Sequence, residues 1–220
     1  MAERLYPDAQ VTAVSIAGRP FPVGATERLN ARCSDLSVTT LYGDSMPPLG
    51  RWPWTVVGAG DVFSHCGTYR YLLWHRWDAA KPLVGVSGIN PSSATGKDHD
   101  HTTRKLRGFG DRLGWGGFLL GNPFALVSTD QRGLLAADAP IGPENDKWLR
   151  VLFSQTDHVI AAWGSAKTAA VRRLLDKRLT EMGGLLASKP LLCFGRSADG
   201  SPRHPLMLAY STPLESWSAT

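Results

Sequence analysis

The stretch Leu83-Val84-Gly85-Val86-Ser87-Gly88-Ile89-Asn90-Pro91-Ser92-Ser93 constrains the fold more than any other part of this chain. A short apolar run with β-branched and small residues, closed by Pro and Ser, reads as a buried strand leaving a sheet. Pro91 cannot continue a ladder and stiffens the exit. Asn90 is thereby delivered to the carboxyl end of a central strand, where open α/β sheets place ligands and reacting groups.

The same theme recurs along the chain. Tyr69–Trp74 is a strand candidate. Thr102–Leu113 has Leu106, Phe109 and Leu113 at helical spacing, with Gly108 and Gly110 weakening it. Phe118-Leu119-Leu120-Gly121-Asn122-Pro123 is a second apolar strand ending in Asn-Pro. Glu144–Ser154 carries a helical stripe of Trp148, Leu149, Leu152 and Phe153. His158–Gly164 is a strand, Ser165 is a suitable N-cap for a helix over Ala166–Met182, and Leu191–Gly195 is a final buried strand. Short apolar strands alternating with amphipathic helices predict a three-layer α/β sandwich with a central, mostly parallel sheet. Residues 1–62 lack such periodicity and are rich in Gly and Pro. Short strands are expected at Val11–Ile16 and Leu36–Leu41. This part is expected to be an N-terminal extension docked through Trp52, Trp54, Val56 and Val57, with the main domain over 63–220.

Several classes are excluded or disfavoured. No apolar segment approaches the roughly 20 residues of a membrane span. The opening Met-Ala-Glu-Arg-Leu-Tyr-Pro-Asp has no signal-peptide core, so a cytoplasmic protein is expected. Cys33, Cys66 and Cys193 have no metal-ligand spacing and read as free thiols. Lys97-Asp98-His99-Asp100-His101-Thr102 alternates His with carboxylates, yet no distant Cys/His partner accompanies it, and a solvated loop before a helix is expected rather than a metal. There is no dinucleotide or phosphate-loop glycine motif and no Gly-x-Ser-x-Gly elbow. No cofactor is implied. Up to Gly67 the chain has 5 basic and 6 acidic residues, and from Thr68 onward 19 and 13. The basic excess lies with the motifs and suits a polyanion such as DNA.

Four polar sites then follow in order at strand ends: Asn90, Asn122, Trp163-Gly164-Ser165, and His204-Pro205-Leu206. Alone, an Asn before Pro commonly marks a turn, and a His before Pro commonly packs or faces solvent. Their order resembles the uracil-DNA glycosylase superfamily, through Gly88-Ile89-Asn90-Pro91, Phe118–Asn122, Val159–Ser165 and His204-Pro205-Leu206. A closer resemblance, over about residues 68 to 210, is to the bacterial and phage family called domain of unknown function 1643. It rests on Tyr71-Leu72 with Trp77, Asn90-Pro91-Ser92, Asp100-x-Thr102, Asn122-Pro123-Phe124, Gly142-x-Glu144-Asn145-Asp146, Ala162-Trp163-Gly164, and Asp199-Gly200-x-Pro202-Arg203-His204-Pro205-Leu206. That family name implies no activity.

The glycosylase resemblance implies a hydrolase that cleaves the N-glycosidic bond of a damaged or modified pyrimidine in DNA. Such cleavage passes through an oxocarbenium-like state, with negative charge on the departing base. Asn90 would orient water, and His204 would donate to the base oxyanion. Asn122, with a donor and an acceptor, would read the pyrimidine edge. Gly88, Pro91 and Ser92 would line the base pocket, with Phe124 or Phe109 stacking on the base. Ser93, Arg104, Ser165, Lys167 and Arg203 would contact the DNA backbone, and Leu206 or Met207 would fill the gap left by the flipped base. Three departures matter. Leu206 follows His204-Pro205 where the superfamily has Ser, which removes one phosphate contact. Asn90 stands where the fastest members have Asp. Ser92 stands where uracil-specific members carry a bulky aromatic, which implies room for 5-substituted bases. The alternatives are a binding protein that retains the fold without cleaving, and a nucleoside or nucleotide hydrolase. Glu144-Asn145-Asp146 reads as an acidic helix opening, and Trp163 is expected to pack beneath the pocket.

Overall fold

The computed structural model describes residues 11–12, 36–42, 52–64, 66–92 and 101–218. The strands are β1 (Val11–Thr12), β2 (Leu36–Tyr42), β3 (Gly58–Ser64), β4 (Arg70–Arg76), β5 (Leu83–Ser87), β6 (Gly117–Gly121), β7 (Val159–Ala161), β8 (Leu191–Cys193) and β9 (Glu215–Ser216). The helices are α1 (His101–Leu113), α2 (Gly133–Ala136), α3 (Asn145–Gln155), α4 (Ala169–Glu181) and α5 (Gly183–Leu186). Among the described residues, all nine strands form one sheet in the order β1-β2-β3-β4-β6-β5-β7-β8-β9.

Its centre, β6-β5-β7-β8, is parallel. Everything outside that centre is antiparallel. The fold is therefore α/β with a mixed sheet, parallel only in the middle, rather than mostly parallel throughout. The parallel part is where apolar runs alternate with helices, because only a crossover element can return the chain to start a parallel neighbour.

The period-two alternation of the central strands divides the core. Val84, Val86, Phe118 and Ile160 pack with Leu106 and Phe109 of α1. The intervening Leu119 and Val159 pack with Trp148, Leu149, Leu152 and Phe153 of α3. Ala161 and Cys193 pack with Val171 and Leu175 of α4. Strand residues that are neighbours in sequence thus belong to different helices, as side chains alternating across a pleated sheet require.

The N-terminal part departs most from expectation. The boundary expected at residue 62 falls inside β3, which pairs along its length with both β2 and β4. The described strands β1 and β2 extend the sheet edge to edge through β3. Gly58-Ala59-Gly60-Asp61 is a poor strand sequence by composition, so pairing partners, not propensity, make β3. Strand β2 lies where it was expected. Of the strand expected at Val11–Ile16, only Val11–Thr12 is within the described residues. Trp52 and Trp54 do dock: their rings stack at 5.0 Å, and Trp52 meets Trp148 of α3 edge-on at 6.0 Å. Val57 is exposed instead. Helix α4 is also capped differently. Thr168 Oγ1, not Ser165, accepts from Val171 N–H at 3.2 Å. Helix α4 ends at Glu181 with Met182 as its C-cap, immediately before Gly183-Gly184, which opens the short α5.

Within the antiparallel half, Asp61 is 5% exposed and its Oδ1 lies 3.9 Å from Arg70 Nε. Burial pushes its carboxyl up from 3.8 to about 6, against the opposing pull of Arg70. Between pH about 4 and 6 the folded state therefore holds a proton that the unfolded chain has released. Stability from this group is present at low pH and is lost as pH rises through that window, by up to about 3 kcal/mol. Urea unfolding across the window should show this negative slope, and Asp61→Asn should flatten it. An unchanged slope in the variant would place its origin elsewhere.

Candidate active site

The register of the parallel strands sets a common rim. Ser87 pairs with Gly121 on one side and with Ala161 on the other. The residues that follow these strands, Gly88, Asn122 and Ala162, therefore leave the sheet at one level. Ala162 N–H donates to Ser87 O at 2.8 Å, and Gly88 N–H to Gly121 O at 3.2 Å. This adjacency brings together positions more than thirty residues apart in sequence.

Asn90 is half-buried and held by a segment that returns from β6. Its Nδ2 donates to Ser128 O at 2.7 Å and to Pro91 O at 3.0 Å. Ser128 N–H in turn donates to Pro91 O at 2.9 Å. Both amide protons of Asn90 are engaged, which leaves its carbonyl oxygen to accept from another group. Pro91 is buried and Ser92 half-buried.

Asn122 is 5% exposed and sits directly against Gly88. A Cβ at Gly88 would lie 2.6 Å from Asn122 Oδ1. The glycine of the Gly88-x-Asn90-Pro91 run is thus explained by close approach: only a residue without a side chain leaves room for the Asn122 amide. The Asn122-Pro123 turn is also tied to the β5 exit through Phe124 N–H to Ile89 O at 3.2 Å.

His204 reaches the rim through Gly164. Gly164 has a positive φ of 69°, and its N–H donates to Pro202 O at 2.9 Å. A Cβ there would be strained by conformation and would crowd His204 Cβ at 3.1 Å. His204 is exposed and precedes the 3-10 turn Pro205–Met207. Its Nδ1 accepts from Leu206 N–H at 3.3 Å. In the neutral ring this hydrogen bond puts the proton on Nε2, so that edge is the donor.

The structure treats the other expected residues unevenly. Phe109 is wholly buried on the α1 side of the sheet, 4.2 Å from Phe194 and 5.2 Å from Tyr210 between ring centroids. Its ring faces are occupied, so it is core and not a stacking platform; the Leu106/Phe109 stripe turns it toward the sheet. Phe124 is likewise 1% exposed, packed with Ile89, Ala161 and Trp163. Trp163 packs edge-on against Trp217 at 4.9 Å. Ser165 Oγ donates to Asp199 Oδ1 at 3.1 Å. The Asp199 carboxyl is held below its ordinary value by the Ser201 N–H and then by Ser165. Arg104 is exposed and meets His101 Nδ1 at 3.2 Å. Lys105 lies 3.9 Å from the Tyr210 ring centroid and Arg107 4.4 Å from that of Trp77. Lys167 and Arg203 are exposed, the latter crossing Gly195. Leu206 is 38% and Met207 89% exposed at the tip of the turn after His204. Ser93 and the stretch Lys97–Asp100 lie outside the described residues.

Two groups lie behind the rim; sequence reasoning read Asn145 only as part of a helix opening and did not single out Arg178. Asn145 Nδ2 donates to Asn122 O at 2.9 Å and to Pro123 O at 3.0 Å. Arg178 Nε donates to the same Pro123 O at 3.0 Å. Both are polar residues on apolar helical stripes, Asn145 below Trp148, Leu149 and Leu152, and Arg178 after Val171 and Leu175. A polar side chain on a buried stripe was the available signal, since such groups stay buried only when paired. A cleft of about 780 Å³ opens behind Trp163, between α4, α5 and the loop 196–202. Neither Asn90, Asn122 nor His204 lines it. Among the described residues, no cluster of three or more His, Cys, Asp or Glu is placed to hold a metal, and no helix is long and apolar enough to cross a membrane.

The fold is thus that of an α/β protein whose β5 and β6 exits carry Asn90 and Asn122 and whose Gly164, beyond β7, packs against His204. The family described as Protein of unknown function (DUF1643) matches residues 70–206, and the chain belongs to it. The match runs from the first residue of β4 into the turn after His204, so it takes in the whole rim. No curated protein and no solved structure matches the chain.

Proposed function

We propose that this protein is a DNA glycosylase-like hydrolase, acting on a damaged or modified pyrimidine, with a three-layer arrangement of the uracil-DNA glycosylase kind. What supports this best is how three side chains are seated near the exits of β5, β6 and β7. Asn90 is held by Ser128 O, Asn122 is seated against Gly88, and His204 is backed by Gly164. Their chemistry is complementary to the reaction. The Asn90 carbonyl would accept from a water molecule and aim its oxygen at the sugar carbon. The Asn122 amide would pair with the polar edge of a base withdrawn from the duplex. The His204 Nε2–H would donate to the oxygen on which negative charge collects as the bond to the sugar breaks. Asn90 cannot accept a full proton, so a slow enzyme is expected, one that relies on base activation more than on water activation.

DNA is the proposed partner, in a cytoplasmic setting, with exposed Arg203 and Lys167 meeting phosphates and Met207 projecting toward the duplex. The half-buried Ser92 beside Pro91 is proposed to leave space at the 5-position of the base. The test is a panel of oligonucleotides carrying uracil, thymine or 5-hydroxymethyluracil, scored by strand cleavage at abasic sites in hot alkali. Release of a 5-substituted base is expected, and cleavage of uracil alone would remove the role given to Ser92. The neutral amide at Asn90 favours a second reading, a base-binding protein that does not cleave. It predicts salt-dependent DNA binding with no abasic sites on any substrate.

A further inference from the structure

Asn145 is fully buried and Arg178 is 4% exposed, and the two belong to different helices, α3 and α4. They converge on two consecutive carbonyls, those of Asn122 and Pro123. Arg178 also pairs with Asp146, the residue next to Asn145, and reaches Glu181 at 3.7 Å. The first turn of α3, the second half of α4 and the 122–123 turn are thereby joined at one point. On its other side, the same turn is tied to the β5 exit by Gly88 N–H to Gly121 O and Phe124 N–H to Ile89 O, both 3.2 Å.

A guanidinium is a costly way to satisfy a carbonyl that water would satisfy at the surface, because burying a charge carries a desolvation penalty. Pro123 has no N–H of its own, so its carbonyl is the only backbone hydrogen-bonding group it offers for fixing it. The Asn122 side chain is confined between this anchored backbone and the Cα of Gly88. Small changes in the tilt of the turn would swing its amide.

We infer that Asn145 and Arg178 form a buried clamp that sets the orientation of the Asn122 amide, making both of them positioning residues for base recognition. This rests on the reading of Asn122 given above. The clamp accounts for the Gly142-x-Glu144-Asn145-Asp146 run, which otherwise has only a helix opening to explain it. Its effect on Asn122 is mechanical and exists without substrate.

Two measurements test it on the full chain. The first needs no activity: ¹⁵N–¹H spectra that resolve the Asn122 side-chain NH₂. In the parent protein this pair should be sharp. In Asn145→Ala, and in Arg178→Lys, which keeps the charge beside Asp146 but loses the Nε–H bond, it should shift or broaden while backbone amides of β5 and β7 stay in place. An Asn122 pair unmoved in both variants overturns the clamp. The second is a double-mutant cycle on single-turnover base release from the 5-hydroxymethyluracil oligonucleotide. Asn145→Ala alone should slow release on the order of 10-fold to 100-fold, as misplacement of a reacting group does. Added to Asn122→Ala, it should cost less than about threefold, because the two act through one contact. Equal losses in both backgrounds would mean that Asn145 is merely structural, and would also overturn the inference. If the parent protein releases no base while the Asn122 signals respond as expected, the glycosylase reading falls and the clamp on Asn122 stands.

Discussion

His204→Ala is expected to lower single-turnover base release by about 10²- to 10³-fold, the usual loss when one donor to a developing oxyanion is removed. DNA binding should persist, because the exposed cations that would meet phosphates are untouched. The physical case rests on how the ring is held. Gly164 packs on its Cβ side, and Leu206 N–H donates to Nδ1 at 3.3 Å. The imidazole is therefore oriented before any substrate arrives, with Nε2–H as its donor edge. Removing the ring also removes the cap of the Pro205–Met207 turn, at a cost of about 1 kcal/mol, too little to unfold a domain of ordinary stability. His204→Asn separates the two effects, since a side-chain oxygen can still accept from Leu206 N–H while the donor no longer reaches as far. A parent-like rate in His204→Ala, or a loss of DNA binding that matches the loss of rate, would remove His204 from the reaction.

Gly88→Ala should be nearly as damaging, although it adds only one methyl group. That methyl would sit 2.6 Å from Asn122 Oδ1. The Asn122 backbone cannot retreat, because Asn145 and Arg178 hold its turn from below and the β5 exit holds it from above. The side chain must rotate instead. The fold should survive with a loss of about 1–3 kcal/mol, as for other small overpacking changes. Base release should fall on the order of 100-fold, and the preference among the three oligonucleotides should flatten, since the amide proposed to read the base has moved. Melting curves beside the oligonucleotide rates separate the two consequences. Unaltered rates and preferences would show that Asn122 does not read the base.

Much of the rim was legible in the sequence because its signals are local. An apolar run that ends in Asn-Pro announces a strand exit, whatever its neighbours. The runs at 83–89, 118–121 and 191–195 accordingly became β5, β6 and β8, and the stripes at 106–113 and 148–153 became α1 and α3. Phe109 shows the limit of such reading. Its type suits stacking, but the helical stripe that made α1 recognisable also buries that ring. Ser165 is a competent cap by type, yet Asp199 takes its hydroxyl, and Thr168 caps α4 three residues later.

By itself, the sequence determined the α/β class, the parallel centre and the arrival of Asn90, Asn122 and His204 at strand or turn ends, because periodicity and chain-breaking residues act over a few positions. Only the tertiary structure decided the strand order, the joining of β2 and β3 to the same sheet, the return of Ser128 to hold Asn90, and the approach of Asn145 and Arg178 to the Asn122-Pro123 turn. The side-chain contacts that join Asn90 to Ser128 and hold the Asn122-Pro123 turn span 22 to 55 residues. They depend on which carbonyls are left without a partner once the sheet has formed, and no local pattern encodes that.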